Sequence, residues 1–245
     1  MTVRFPTLLI LALAFAAGAA AQQWRPLFNG RDLSGWQIRG DGVWTVMPGG
    51  VLLGQRRIDN VSKPFDADWP IAQRQYGAWL NRHAWLYTEQ EFGEFDLHLE
   101  YFLPPHMNSG VSIRDVTRAH YSIGEKASAA DPPMTTLLKG TPSHIGYEIQ
   151  IIDNEAEKYP TGSIYLFQAA PKGLQNMNQW NSLDIESRKS GIKVKVNGQF
   201  AAEHPGETGR PLAGPIGLQL HDQFTFILFR DIRIREMPAP RPTLQ

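Results

Sequence analysis

The sequence contains no cysteine in 245 residues. Disulfide staples are thereby excluded, and the core alone has to hold the fold, which a chain of this length is large enough to do. An excess of charge of one sign is also lacking, since 24 Lys and Arg stand against 24 Asp and Glu. That balance argues against a nucleic-acid partner or an anionic membrane surface. Serine-nucleophile elbows of the G-x-S-x-G type, Gly-rich phosphate loops and dinucleotide fingerprints are missing, so no nucleotide cofactor is expected. His98, Glu100 and His106 lie close in sequence, yet no H-x-H, H-E-x-x-H or Asp-rich calcium loop occurs, and spacing calls for no metal. Sustained helical periodicity is hard to find beyond the first 21 residues.

What is present begins with an apolar run, "LLILALAFAAGAAA", after Arg4. It is too short and too rich in small residues to favour a membrane span. Ala19 and Ala21 supply an A-x-A pattern before Gln22, so residues 1–21 are expected to be a cleaved signal peptide. The expected location is periplasmic or secreted, from a bacterial cell, with no membrane partner after cleavage. No cysteine follows the run, which excludes the lipoprotein route. About 224 residues then remain, with 23 basic side chains against 24 acidic ones once Arg4 is removed. Gly 22, Pro 18 and 11% aromatic residues suit a turn-rich β protein with short strands.

Alternation runs through most of the chain. "EFDLHLEYF" puts Phe95, Leu97, Leu99 and Tyr101 on one face and Glu94, Asp96, His98 and Glu100 on the other. "SGVSIRD" sets Val111 and Ile113 against Ser112 and Arg114. "SLDIESR" and "GIKVKVNGQF" form a pair, and the Asn197-Gly198 dipeptide signals a hairpin. "GPIGLQLHD" and "FTFILFRDIRIRE" complete the set. Strands at this spacing predict an all-β sandwich of two antiparallel sheets over residues 24–236, followed by a Pro-rich tail at 237–245. Two stretches break the rhythm, at about 55–84 and 119–144; both read as insertions at the rim, the first with a short helix around "DWPIAQRQYGAWL". Trp69, Trp79 and Tyr121 make closure of these insertions over a groove a reasonable expectation.

In "GYEIQIID" the alternation raises a question. Tyr147, Ile149 and Ile151 fall on one side, while Glu148 and Gln150 fall on the other, followed by Ile152. On alternation alone that second face is plain solvated surface.

The ordered series "LFNGRDLSGW", "GVWTVMPGGVLLG", "WLYTEQEFGEFDLHLEYFLP", "NSGVSIR", "GYEIQIID", "TGSIY", "QWNSLDIESR", "IKVKVNGQ" and "GPIGLQLHD...FRDIRIRE" resembles the 3-keto-disaccharide hydrolase family, from about Trp24 to Glu236. The resemblance implies a concanavalin A-like jelly roll in a secreted protein that acts on saccharides. Family members linked to an activity cleave 3-keto-glycosides, and the sugar-binding groove lies on an outer sheet face. Chemically, a ketone at C3 acidifies the hydrogen on C2. A base removes it, a hydrogen-bonding or cationic group stabilises the enolate, and the C1 substituent leaves by elimination; water then adds.

On that reading Glu148 is the candidate base, Arg114 and Gln150 the enolate-side groups, and His221 the acid at the leaving group. Asp153, Tyr165 and Trp180 stand at the groove's edge, and the "NSG" turn of Asn108 and Ser109 lies near it. Plainer alternatives stay open: a Glu148–Arg114 cross-strand ion pair, a locally bonded His221, a core Trp180 and a simple turn at 108–110. A non-catalytic carbohydrate-binding module with the same groove is the other class of function. A third reading is a retaining glycanase built on Glu94 and Asp96, though His98 interrupts the alternating carboxylates.

Overall fold

The computed structural model describes residues 23–39, 42–56, 84–116, 146–154, 156–222 and 224–237. The insertion expected at 119–144 lies outside them, as do the signal segment, most of the tail, nearly all of the 55–84 stretch, and the short helix and the aromatic residues expected to close over a groove. Among the described residues there are thirteen strands. In chain order they are β1 (Arg25–Pro26), β2 (Trp36–Arg39), β3 (Gly42–Met47), β4 (Val51–Arg56), β5 (Ala84–Thr88), β6 (Phe95–Phe102) and β7 (Asn108–Ile113). Then come β8 (Tyr147–Ile152), β9 (Asn181–Arg188), β10 (Gly191–Val196), β11 (Gln199–His204), β12 (Ile216–Leu220) and β13 (Phe226–Glu236).

Every pairing is antiparallel, and the strands form two sheets as the alternation predicts. The larger has eight strands in the order β11-β10-β9-β6-β13-β4-β3, with β1 on β13; the smaller has the order β2-β5-β12-β7-β8. Asn197 and Gly198 turn the β10–β11 hairpin with φ of 52° and 74°, the left-handed pair that a two-residue turn requires.

The two sheets bury one shared core. Leu97, Leu99, Leu183, Ile185 and Phe229 enter it from the larger sheet, and Leu86, Val111, Ile149, Ile151 and Leu218 from the smaller. The outer faces differ sharply. In β9 and β10 burial alternates residue by residue, the mark of a strand with one wet face. In β5 and β12 every residue is buried, and in β8 all but the last. Apart from its edge strand β2, the smaller sheet is therefore largely withdrawn from water on both sides.

Large side chains lie flat on that second face because glycine sits beside them. A Cβ on Gly217 would stand 2.3 Å from Cε1 of Tyr87, its cross-strand partner. Gly217→Ala is expected to cost about 1–3 kcal/mol through overpacking, seen as a lower midpoint in denaturant unfolding followed by tryptophan fluorescence.

Candidate active site

Strand register sets the outer face of the smaller sheet out in rows. Glu148 pairs with Ser112, Ser112 with Gly217, Gly217 with Tyr87 and Tyr87 with Gln37. One row on, Gln150 pairs with Gly110, the continued register brings in Gln219, and Gln219 pairs with Trp85, which pairs with Arg39. Asn108 and Ile152 belong to the third row, where His221 follows by alternation. Trp85 and Tyr87 stack at 5.4 Å and form a buried pair separate from the main core.

Glu148 is only 3% exposed, and its Oε1 accepts a 2.9 Å hydrogen bond from Nε2 of Gln219. That bond crosses β7 diagonally at Gly110, where a Cβ would lie 3.1 Å from the same carboxylate oxygen. Gln150 is 5% exposed and Ser112 fully buried; Gln150 Oε1, Ser112 Oγ and Asn108 Oδ1 are buried with no hydrogen-bond partner. Buried polar atoms without partners are rare in folded proteins, and three stand together on this face.

Tyr165 joins this face from a segment that runs along the free edge of β8. Ile164 bridges Ile149, and the Tyr165 amide donates to the Glu148 carbonyl at 2.8 Å. Tyr165 thus extends the Glu148 row. Burial, and then the Glu148 carboxylate, push its phenol above the ordinary tyrosine value, which keeps it protonated at neutral pH.

Four sequence-derived candidates are placed elsewhere. Arg114 should follow Ser112 on the outer face, but its φ of 59° ends the strand alternation there. Its guanidinium instead crosses to the larger sheet and donates to Ser187 Oγ at 3.0 and 2.8 Å and to the Arg188 carbonyl at 2.7 Å. Burial draws its pKa below the usual arginine range, and it makes no ion pair with Glu148. Ser109 shares the core-side parity of Ile151, and its hydroxyl donates to the Gln219 carbonyl at 2.7 Å. Asp153 accepts from the His106 amide at 2.8 Å and so closes a loop. Trp180 lies against the larger sheet, edge-on to Phe102, with the Arg230 guanidinium 4.0 Å from its ring centre.

His221 keeps the outer parity but stands two rows from Glu148, roughly 13 Å along the strands at the usual rise. Its Nδ1 lies 3.5 Å from Asp222 Oδ2. Burial raises the Asp222 pKa, but hydrogen bonds from His221 and the Phe224 amide outweigh it and leave the carboxyl low. The acidic strand β6 is likewise spoken for. Asp96 pairs with Arg188 and Arg235, Glu100 with Arg230 at 2.5 Å, and the Glu94 carboxylate accepts from the Lys189 amide at 2.8 Å. His98, Glu100 and Asp231 converge within 4.8 Å, a grouping not visible in their spacing because a bulge in β13 brings Asp231 in. His98 is bound to Asp184 at 2.7 Å and Asp231 to Arg233 at 2.8 Å.

Sequence reasoning missed Gln219, Ser112, Trp85 and Tyr87. Their alternation in "IGLQL", "SGVSI" and "AWLYT" was readable; which strands stood beside β8 was not.

A buried polar array on the outer face of an antiparallel sandwich defines the class: a jelly roll with polar side chains gathered on one sheet. The chain belongs to the family described as the 3-keto-α-glucoside-1,2-lyase-like domain, whose model matches residues 23–235. This places it among carbohydrate-active proteins. Two solved structures from Parabacteroides distasonis ATCC 8503, each described as a "putative glycosyl hydrolase", are similar. One has a TM-score of 0.60 at 23% identity, covering 88% of this chain and 100% of that one. The other has 0.58 at 18%, covering 94% and 99%. A β-glucanase from Bacillus licheniformis shares the concanavalin A-like jelly roll, with a TM-score of 0.51 at 11% identity over 89% of this chain and 98% of the other. None of the curated proteins matches the chain.

If Arg114 ties the sheets together, Arg114→Met should lower unfolding stability by about 1.5–3 kcal/mol or more, the loss of hydrogen bonds to a charged group. Calorimetry of saccharide binding to the folded variant should show affinity close to that of the parent.

Proposed function

We propose that this chain cleaves 3-keto-glycosides by elimination and hydration, with Glu148 as the base. The observation that carries the reading is the buried carboxylate of Glu148 among buried, unpartnered acceptors on an outer sheet face. A carboxylate is a competent base toward a C2 hydrogen acidified by a neighbouring ketone. Glu148 takes that proton, and the C–H electron pair becomes the C2–C3 enolate. The Gln150 amide, the next outer residue on β8, hydrogen-bonds the sugar oxygen on that side. As the enolate collapses to an enone, the bond from C1 to the aglycone oxygen breaks.

That oxygen requires a proton. Tyr165, in the Glu148 row and protonated at neutral pH, is better sited to give it than His221 two rows away. Water then adds across C1 and C2: its hydroxide joins C1, Glu148 returns the proton to C2, and the remaining proton restores Tyr165. The net result is hydrolysis. Asn108 and Ser112 accept hydrogen bonds from hydroxyls of the sugar. The apolar run before Gln22 and the A-x-A pattern support export to the periplasm or beyond as the setting.

Incubation with a 3-keto-glucoside carrying a chromogenic aglycone tests the reading. The parent should release aglycone, Glu148→Gln should fall by about a hundredfold or more, and Tyr165→Phe by a smaller factor that shrinks for aglycones of low pKa. Retention of the ligand with no release by the parent would mark a binding module instead.

A further inference from the structure

We infer that Gln219 is a positioning residue that fixes the Glu148 carboxylate for proton abstraction; the inference rests on the function proposed above. A glutamate has three side-chain torsions, and a base that wanders over them seldom meets a C–H bond in line. The smaller sheet removes that freedom with two strands' worth of chemistry. From β12, the Gln219 amide donates to Oε1 at 2.9 Å, and both side chains are buried, Gln219 completely. Between them, β7 carries Gly110, so nothing projects into the path of the bond. A methyl group there would press on Oε1 at 3.1 Å and on Cγ at 3.2 Å. Gln219 is itself held in place, because its own carbonyl accepts the Ser109 hydroxyl at 2.7 Å from the core side of β7. Its ring neighbour on β5, Trp85, is buried and stacked on Tyr87. Amide, gap and carboxylate therefore form one unit across three strands.

Gln219→Met keeps the length and volume of the side chain and removes the donor. Gln219→Glu keeps the shape and sets a second carboxyl against the first. In the first variant kcat on a 3-keto-glucoside should fall about tenfold or more while KM stays within about twofold, because binding groups are untouched and only orientation is lost. In the second, the pH profile should change shape, since two carboxyls in contact titrate as a coupled pair. A readout that needs no turnover accompanies both: carbon-detected NMR titration of the Glu148 carboxyl, assigned by its disappearance in Glu148→Gln. Its titration should split into two steps in Gln219→Glu and stay a single step in Gln219→Met. Thermal midpoints of both variants confirm that they are folded. A Glu148 titration in Gln219→Glu identical to that of the parent overturns the inference, and so does an unchanged kcat in Gln219→Met. If the parent turns over no 3-keto-glycoside, the proposed function fails, and the carboxyl titration still decides whether Gln219 holds Glu148.

Discussion

A carboxylate withdrawn from water has to be hydrogen-bonded, and Glu148 accepts such a bond from Gln219. Much of the smaller sheet follows from it. The donor and acceptor belong to β12 and β8, which are not neighbours, so β7 must run between them with no side chain at the crossing. The register must also be right to the residue. A slip of one position on β8 would turn Glu148 toward Ile149's side of the sandwich and bring an isoleucine out. The apolar parity of Tyr147, Ile149 and Ile151 in the core therefore holds the polar parity in place.

The two outer faces carry charge in opposite ways. On the larger sheet, acids meet bases on neighbouring strands, as in Asp96 with Arg235 opposite and Arg188 on the diagonal, or Lys195 diagonal to Glu186 at 3.8 Å. Their charges are met within the sheet, and the more exposed pairs, such as Lys195 with Glu186, add little to stability. On the smaller sheet, polar atoms are out of water with bonds still to be made. A carboxylate already bridged by two guanidinium groups, as Asp96 is, makes a poor base.

Fold and faces were legible in the sequence to different depths. Period-2 alternation was enough to find β6, β9, β10 and β13, and the Asn-Gly pair placed a turn to the residue. It was also enough to put Glu148 and Gln150 on one face. It failed wherever a residue left the regular strand conformation. Arg114, with φ of 59°, has the outer parity and the inner location, and Asp231, with φ of 48°, meets His98 only because the strand bulges. Ser109 sits in "NSG", which has the composition of a turn but is the start of β7, where parity sends the side chain inward. Gln219 illustrates a different limit. Its own strand marks it as outward-facing, but nothing local says that β12 lies one strand away from β8, since that order is decided by the packing of the whole sheet.

Strand order has a last consequence, for the sequence of events in folding. β13 has its partners on both sides, β6 and β4, with β1 laid along it, so the last of the described strands lies inside the larger sheet. β12 does the same in the smaller one, between β5 and β7. Neither sheet can close on partial chain, and contacts so distant in sequence form slowly because a long loop has to be brought together first. A nascent chain emerging from the ribosome thus carries β4, β5, β6 and β7 with one edge each unpaired until synthesis reaches Leu220 and Glu236. Glu148 and the Gln219 amide that bonds it come together only once β12 has joined β7 and β8.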